Sequence, residues 1–183
     1  MKLLISKSKL LFLLFGLVVL VLGVLAPFYL PERFFNDAIV IAEDFYNEKG
    51  FWRSYPVTML FYEVTGLNRL SFSMVALIQL PILLWVLYKL GVPKRFAKVS
   101  VRNLLAYSLL LMLAFFVSMP SKEFITFLFI AWIPWLLLKK KLRLKYTLLL
   151  IFSGLLFFGI WYRTYYVLIP IIAGGKIIYI FSY

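Results

Sequence analysis

The residues best suited to chemistry form a short polar segment, Ser121-Lys122-Glu123, between two apolar runs at residues 104–119 and 124–138. A polar triplet that joins two long apolar segments is typical of a membrane hairpin, so we expect it at the membrane surface. An ionised pair at that depth favours a functional site. The simpler interpretation is a plain turn, in which Ser121 caps the next helix and Glu123 interacts with its dipole.

The composition indicates a membrane protein. Of 183 residues, 64% are hydrophobic and 20% aromatic, and the mean hydropathy is +0.99. This apolar fraction exceeds what the core of one soluble domain requires, so several membrane passes are expected. The chain has no Cys and no His, which excludes disulfides, thiol nucleophiles and His-ligated metal sites. The net charge of +13 lies in clusters between apolar runs, which indicates membrane topology rather than nucleic-acid binding.

Long apolar runs separated by charged loops predict an all-α, polytopic bundle of about six membrane spans in one domain, residues 1–183. We expect the spans at residues 10–26, 70–88, 104–119, 124–138, 146–162 and, in distorted form, 165–183. Gln79 and Pro81 lie near the middle of the second span, which predicts a kink and an inward-facing amide.

The charge distribution predicts the orientation. The N-terminal segment and the loops at 89–102 and 139–145 contain Lys and Arg but no acid, whereas all seven acids lie in the other loops. Because Lys- and Arg-rich loops remain in the cytoplasm, both termini are expected inside. Residues 31–69 are then an outer loop with a short amphipathic helix, followed by an interfacial or re-entrant piece from 53 to 69.

Several cations lie outside against that rule, among them Arg53, Lys122 and Arg163. Guanidinium groups bind phosphate in a forked geometry, and neighbouring aromatic rings suit sugar rings, so a lipid-linked diphosphate sugar would fit such a set. A belt of interfacial aromatic residues with one snorkelling Arg163 is the simpler interpretation of the fifth span's end. The candidate general bases on this side, among which no spacing selects, are Asp37, Glu63 and Glu123.

Three short motifs occur in order on the predicted outer side. They are Phe34-Phe35-Asn36-Asp37-Ala38-Ile39, Pro120-Ser121-Lys122-Glu123 and Arg163-Thr164-Tyr165-Tyr166. Together they resemble the pattern of bacterial oligosaccharide-repeat polymerases, which build O-antigen, capsule and exopolysaccharide. The resemblance extends over about residues 31–166. Members of that family usually have about twice this length and more spans, so the chain resembles a truncated member.

The resemblance implies glycan transfer between polyprenyl-diphosphate-linked oligosaccharide repeats at the outer leaflet of the bacterial inner membrane. It implies that Glu123 or Asp37 is catalytic and orients or deprotonates the acceptor hydroxyl. It implies no metal and no cofactor, and as partners the lipid-linked oligosaccharide, the bilayer and other membrane proteins of polysaccharide assembly. The substrate-binding residues would be Lys122, Ser121, Arg163, Tyr166 and Arg53.

Two other classes of function stay open. A small non-enzymatic membrane protein, such as an immunity protein or accessory subunit, predicts that the outer charges pair with one another and that no cavity opens beside them. The enzyme predicts a polar cavity that opens outward and is lined by Lys122 and Arg163. A transporter or flippase fragment needs polar groups through the membrane depth, where the sequence offers only Gln79, Lys176 and a few hydroxyls.

Overall fold

The computed structural model of the chain describes residues 6–43, 49–95, 100–133, 136 and 144–164. Within these ranges the protein consists of seven α-helices and three short 3₁₀ turns, with no β-strand, which confirms the predicted all-α class. The helices are α1 Lys7–Tyr29, α2 Asn36–Glu43, α3 Ser54–Thr65, α4 Phe72–Lys89, α5 Val101–Val117, α6 Lys122–Ile130 and α7 Leu144–Trp161. The 3₁₀ turns are Glu32–Phe34, Leu67–Arg69 and Val92–Arg95.

Two of the described helices, α1 and α4, are long and apolar enough to cross a membrane, and they match the predicted first and second spans. The apolar parts of α5 and α7, residues 103–117 and 146–161, are shorter. The predicted fourth span begins as α6, but the described helix ends at Ile130. The remainder of that span lies partly outside the described residues, and the predicted sixth span, residues 165–183, lies entirely outside them.

The main core lies where α1, α4 and α5 pack together. Close approach of α1 depends on Gly23, because a Cβ atom there would overlap Leu80 and lie 3.1 Å from the Cβ of Ser118. Gln79, near the middle of α4, is fully buried as predicted. Apolar side chains from the three helices and from α6 fill this core, among them Phe12, Val19, Ala76, Leu80, Leu83, Ala114, Val117 and Phe124.

The outer loop forms a second layer, in which α2 packs on α3. The predicted amphipathic helix is present as α2, and it buries Ala38 and Ile41. The segment expected to be interfacial or re-entrant forms α3, whose Tyr62 is fully buried with Ile41 and Val75. α3 ends at Gly66, whose φ of 71° is a left-handed conformation that glycine adopts readily. The layer contacts the end of α5, where Ala38 packs with Met119 and Phe115, and the start of α6, against which α3 packs.

Candidate functional site

The Ser121-Lys122-Glu123 segment begins α6, and Ser121 is its N-cap. The backbone N–H of Phe124 donates to the Ser121 hydroxyl oxygen at 3.3 Å, and the hydroxyl donates to the carbonyl of Phe116 at 2.6 Å. This is the capping role that the plain-turn interpretation gives to Ser121. Since the hydroxyl is buried and already bonded at both sides, its position fixes the turn between α5 and α6.

A buried polar network formed by Gln79 and Tyr62 holds the backbone of this turn. The Gln79 amide nitrogen donates to the carbonyls of Val117 and Met119, at 2.6 and 3.2 Å, and its oxygen accepts from the Tyr62 hydroxyl at 2.7 Å. The Tyr62 oxygen accepts from the backbone N–H of Ser121 at 3.0 Å. Burial raises the pKa of Tyr62 to about 12, so the hydroxyl remains protonated and can donate to Gln79. The network joins α3, α4 and the turn.

Lys122 and Asp37, which are predicted site residues from distant parts of the chain, form an ion pair at 2.8 Å between Nζ and Oδ2. The Tyr55 hydroxyl donates to the other Asp37 carboxylate oxygen at 3.0 Å. The Lys122 ammonium also lies 3.6 Å from the centroid of the Tyr55 ring, in cation–π contact. The exposed fraction of the Lys122 side chain is 11%, and that of Asp37 is 65%.

The pKa of Asp37 is lowered by its surroundings. Partial burial acts to raise this pKa, but the hydrogen bond and charge of Lys122, the Tyr55 hydroxyl and the charge of Arg163 outweigh it. Each of these contacts stabilises the ionised carboxylate. Asp37 is therefore ionised, and its exposed carboxylate places a negative charge at the protein surface.

Glu123 and Arg163, two further predicted site residues, form a second ion pair with the same arrangement. Arg163 Nη2 lies 3.1 Å from Glu123 Oε1, and the exposed fractions of their side chains are 13% and 35%. The Tyr162 hydroxyl donates to the carbonyl of Lys122 at 3.2 Å, which joins the end of α7 to the start of α6. In both pairs the cation is the more buried side chain and the carboxylate is the more exposed one. The third candidate base, Glu63, is instead paired with Lys49 at 3.0 Å.

A cleft of about 460 Å³ opens beside the second pair. It brings the predicted residues Arg53 and Arg163 together, but Lys122 does not line it. Tyr166, the remaining predicted substrate-binding residue, lies outside the described residues. The charges thus pair with one another, as a non-enzymatic protein predicts, but a cleft opens beside them, which that class does not predict. The cleft contains Arg163 but not Lys122, so it matches the cavity expected of an enzyme only in part. The cleft is lined by Trp52, Arg53, Ser54, Ile160, Trp161, Tyr162, Arg163 and Thr164.

The site contains residues that the sequence pattern did not single out. Tyr55 and Tyr62, seven residues apart, lie on α3 and contact Asp37 and the Ser121 turn respectively. A spacing of seven residues places side chains on the same helix face, which is the signal that could have identified them. The prediction of an interfacial or re-entrant piece for this segment gives no reason to expect it to pack on α6, as it does.

Comparison of the chain with protein-family models, curated proteins and solved structures finds no match. The resemblance to oligosaccharide-repeat polymerases therefore depends on the three motifs alone.

Proposed function

We propose that this chain is a multi-pass protein of the bacterial inner membrane that transfers glycan between polyprenyl-diphosphate-linked oligosaccharides at the outer leaflet. The observation that carries the proposal is the pair of outward carboxylates, Asp37 and Glu123, each held by a largely buried cation. The acids and cations of three separate motifs are in contact, as a shared site requires. The two apolar helices of spanning length, α1 and α4, support the membrane location.

The two carboxylates are suited to different roles. A general base works best when its pKa lies near the working pH, and the lowered pKa of Asp37 makes it a weak base. Asp37 is therefore assigned to orient Lys122 and the acceptor sugar. Glu123 is assigned to take the proton from the acceptor hydroxyl. The hydroxyl oxygen forms the bond to the anomeric carbon as the bond from that carbon to the diphosphate breaks and the diphosphate leaves.

The cations compensate the charge of the departing diphosphate. A guanidinium carries five N–H donors in a planar fork, so Arg163 can hold Glu123 and a phosphate oxygen at the same time. Lys122, which is more buried than its partner Asp37, contributes a second positive charge. Stabilisation of the charge that develops in the transition state is usually the largest single catalytic effect.

The test replaces Glu123→Gln and, separately, Arg163→Ala in the native host and measures polysaccharide chain length on a gel. We expect long-chain polymer to be lost in both, since removing a general base typically slows a reaction about 10²- to 10⁴-fold. Glu63→Gln, which alters the separate pair with Lys49, is the matched control and should leave chain length unchanged. Normal long-chain polymer in both site variants, at normal protein levels, would refute the catalytic assignment.

The internal pairing of the outer charges favours a second candidate, a non-enzymatic membrane partner of a larger complex. A purely structural ion pair tolerates exchange of its two members, whereas a general base cannot be exchanged for a cation. The double variant Glu123→Arg with Arg163→Glu distinguishes the candidates. Recovery of function in the double variant, after its loss in each single variant, would support the structural partner.

A further inference from the structure

The cleft beside the second ion pair is built from two chain segments that are bonded to each other. The Arg53 backbone N–H donates to the carbonyl of Trp161 at 3.1 Å, and the Trp161 indole N–H donates to the carbonyl of Phe51 at 2.6 Å. The Trp161 ring is also stacked on Phe157, with ring centroids 5.9 Å apart and planes 15° apart. These contacts fix the cleft before any ligand binds.

The backbone of Arg53 is strained. Its φ and ψ are 72° and 159°, and it is the only described residue other than glycine with a positive φ. That region is populated almost only by glycine, and other residues there cluster at functional sites. Glycine would relieve the strain, so arginine at this position makes the fold less stable than glycine would.

The Arg53 side chain is exposed, and none of the carboxylates that the structure describes lies within ion-pair distance of it. It shares the cleft with Arg163, and no acid lines the cleft. Arg163 is paired with Glu123, which does not line the cleft, so the uncompensated charge in the lining is that of Arg53, and a guanidinium of this kind favours an anionic group.

Trp52 supplies an apolar surface next to this positive charge. It lines the same cleft, and 58% of its surface is exposed. A large exposed indole suits the apolar face of a flat or ring-shaped ligand. At about 460 Å³ the cleft lies within the size range of small-molecule sites.

We propose that this cleft is a binding subsite for a sugar ring that carries an anionic group, with the ring against Trp52 and the anion on Arg53. The choice of a sugar rests on the proposed glycan transfer; the choice of an anion rests on the cleft itself. A uronate carboxylate and a sugar phosphate share the chemistry that the forked guanidinium recognises.

The test measures binding to the purified full chain in detergent by calorimetry. The probes are a galacturonate trisaccharide, galactose 1-phosphate, a neutral galactose trisaccharide and inorganic phosphate. We expect at least one of the two anionic sugars to bind at least tenfold more tightly than both the neutral sugar and inorganic phosphate. The anionic sugar that binds more tightly identifies the anionic group that the cleft prefers.

Two site variants test the two halves of the subsite. Trp52→Ala and Arg53→Gly should each weaken binding of the favoured sugar at least tenfold. Arg53→Gly keeps the backbone conformation, so its loss of binding reports the guanidinium and not misfolding. Trp85→Ala and Arg33→Gln remove an exposed indole and an exposed guanidinium outside the cleft, and they should leave binding unchanged.

Three results would overturn the inference. They are the absence of binding by both anionic sugars, equal binding of inorganic phosphate and the sugars, and binding that Trp52→Ala leaves unchanged. The outcome is separable from that of the proposed function, because binding is measured without turnover. Normal polymer in both Glu123→Gln and Arg163→Ala, together with sugar binding that depends on the cleft, would refute the transferase and support the subsite.

Discussion

Lys122, at the start of α6, is held in place by a carboxylate and by an aromatic ring. Asp37 contributes an ion pair at 2.8 Å, and the Tyr55 ring lies 3.6 Å from the ammonium. Both partners come from the outer layer, whereas Lys122 begins α6. A largely covered ammonium is costly without such partners. The contacts that retain Lys122 therefore also hold the outer layer on the turn.

Acidification should weaken the fold through Asp37. Because its pKa is lowered in the folded state, the ionised carboxylate stabilises the fold above its ordinary pKa of 3.8, and this contribution is lost as the pH falls below that value. Asp37→Asn should therefore lose less thermal stability than the unaltered protein between pH 7 and about pH 3. Thermal unfolding in detergent at the two pH values measures the difference. Glu32→Gln, which removes a carboxylate with no ion pair in the described part of the chain, is the control and should retain the full loss.

The Tyr62 hydroxyl should be worth more than that of Tyr55. Tyr62→Phe leaves the buried Gln79 amide oxygen and the Ser121 N–H without their partner, and an unsatisfied buried group costs about 1–3 kcal/mol. Tyr55→Phe removes one bond to an exposed carboxylate, which water replaces, so its cost should be below about 1 kcal/mol. Chemical unfolding of the two variants measures both costs, and equal costs would contradict the buried network.

At the scale of single residues, the sequence predicted which charges share a side but not which partners they take. The sidedness of Asp37, Lys122 and Arg163 follows from the loop charges, because that rule depends only on position along the chain. The pairing of Lys122 with Asp37, and of Arg163 with Glu123, depends on how α2, α3 and α7 pack around the turn. Packing of that kind joins residues far apart in the chain, and local periodicity carries no information about it.

At the scale of helices, the contact of α1 with α4 and the end of α5 depends on Gly23. Gly23→Ala should destabilise the bundle, because the new methyl group would overlap the fully buried Leu80 and crowd Ser118. Overpacking typically costs about 1–3 kcal/mol, while alanine recovers about 1 kcal/mol of helix propensity.

The matched control for Gly23 lies on the same helix. A Cβ atom at Gly16 would lie 3.2 Å from a terminal methyl of Leu84, a half-buried side chain that can shift. Gly16→Ala should therefore keep or raise the midpoint of thermal unfolding, and Gly23→Ala should lower it. The reverse order would show that α1 does not approach α4 and α5 as described.

The long apolar helices and the short amphipathic helix α2 were predictable, and α3 was less so. α1 and α4 follow from uninterrupted apolar runs, and each begins and ends within three residues of the predicted span. α3 was expected as an interfacial piece, because its aromatic residues between Arg53 and Arg69 suit a membrane surface as well as a protein core. Burial of Tyr62 against Ile41 and Val75 is decided by tertiary contacts that no pattern within 53–69 reveals.

For the whole molecule, the account joins two layers with different roles. The α1, α4 and α5 layer contains the two described helices of spanning length and forms the apolar body. The α2 and α3 layer covers the turn before α6 and carries the acids that pair with its charges. If the membrane lies along α1 and α4 with the orientation that the loop charges predict, the paired charges and the cleft face the outer surface, where the proposed lipid-linked sugars would reach them.

The central claim is that charges from separate helices meet in one site on the outer surface, and cross-linking in intact cells tests it most directly. The chain has no native cysteine, so the pair Asp37→Cys and Lys122→Cys can be treated with a short bifunctional thiol reagent that does not cross membranes. The account predicts that the two positions become joined without permeabilisation, so that chain fragments cut between them stay together after denaturation. The control pair, Asp37→Cys with Ser100→Cys at the opposite end of α5, should not be joined. Failure of the first pair to cross-link, or cross-linking only after the cells are permeabilised, would contradict the account.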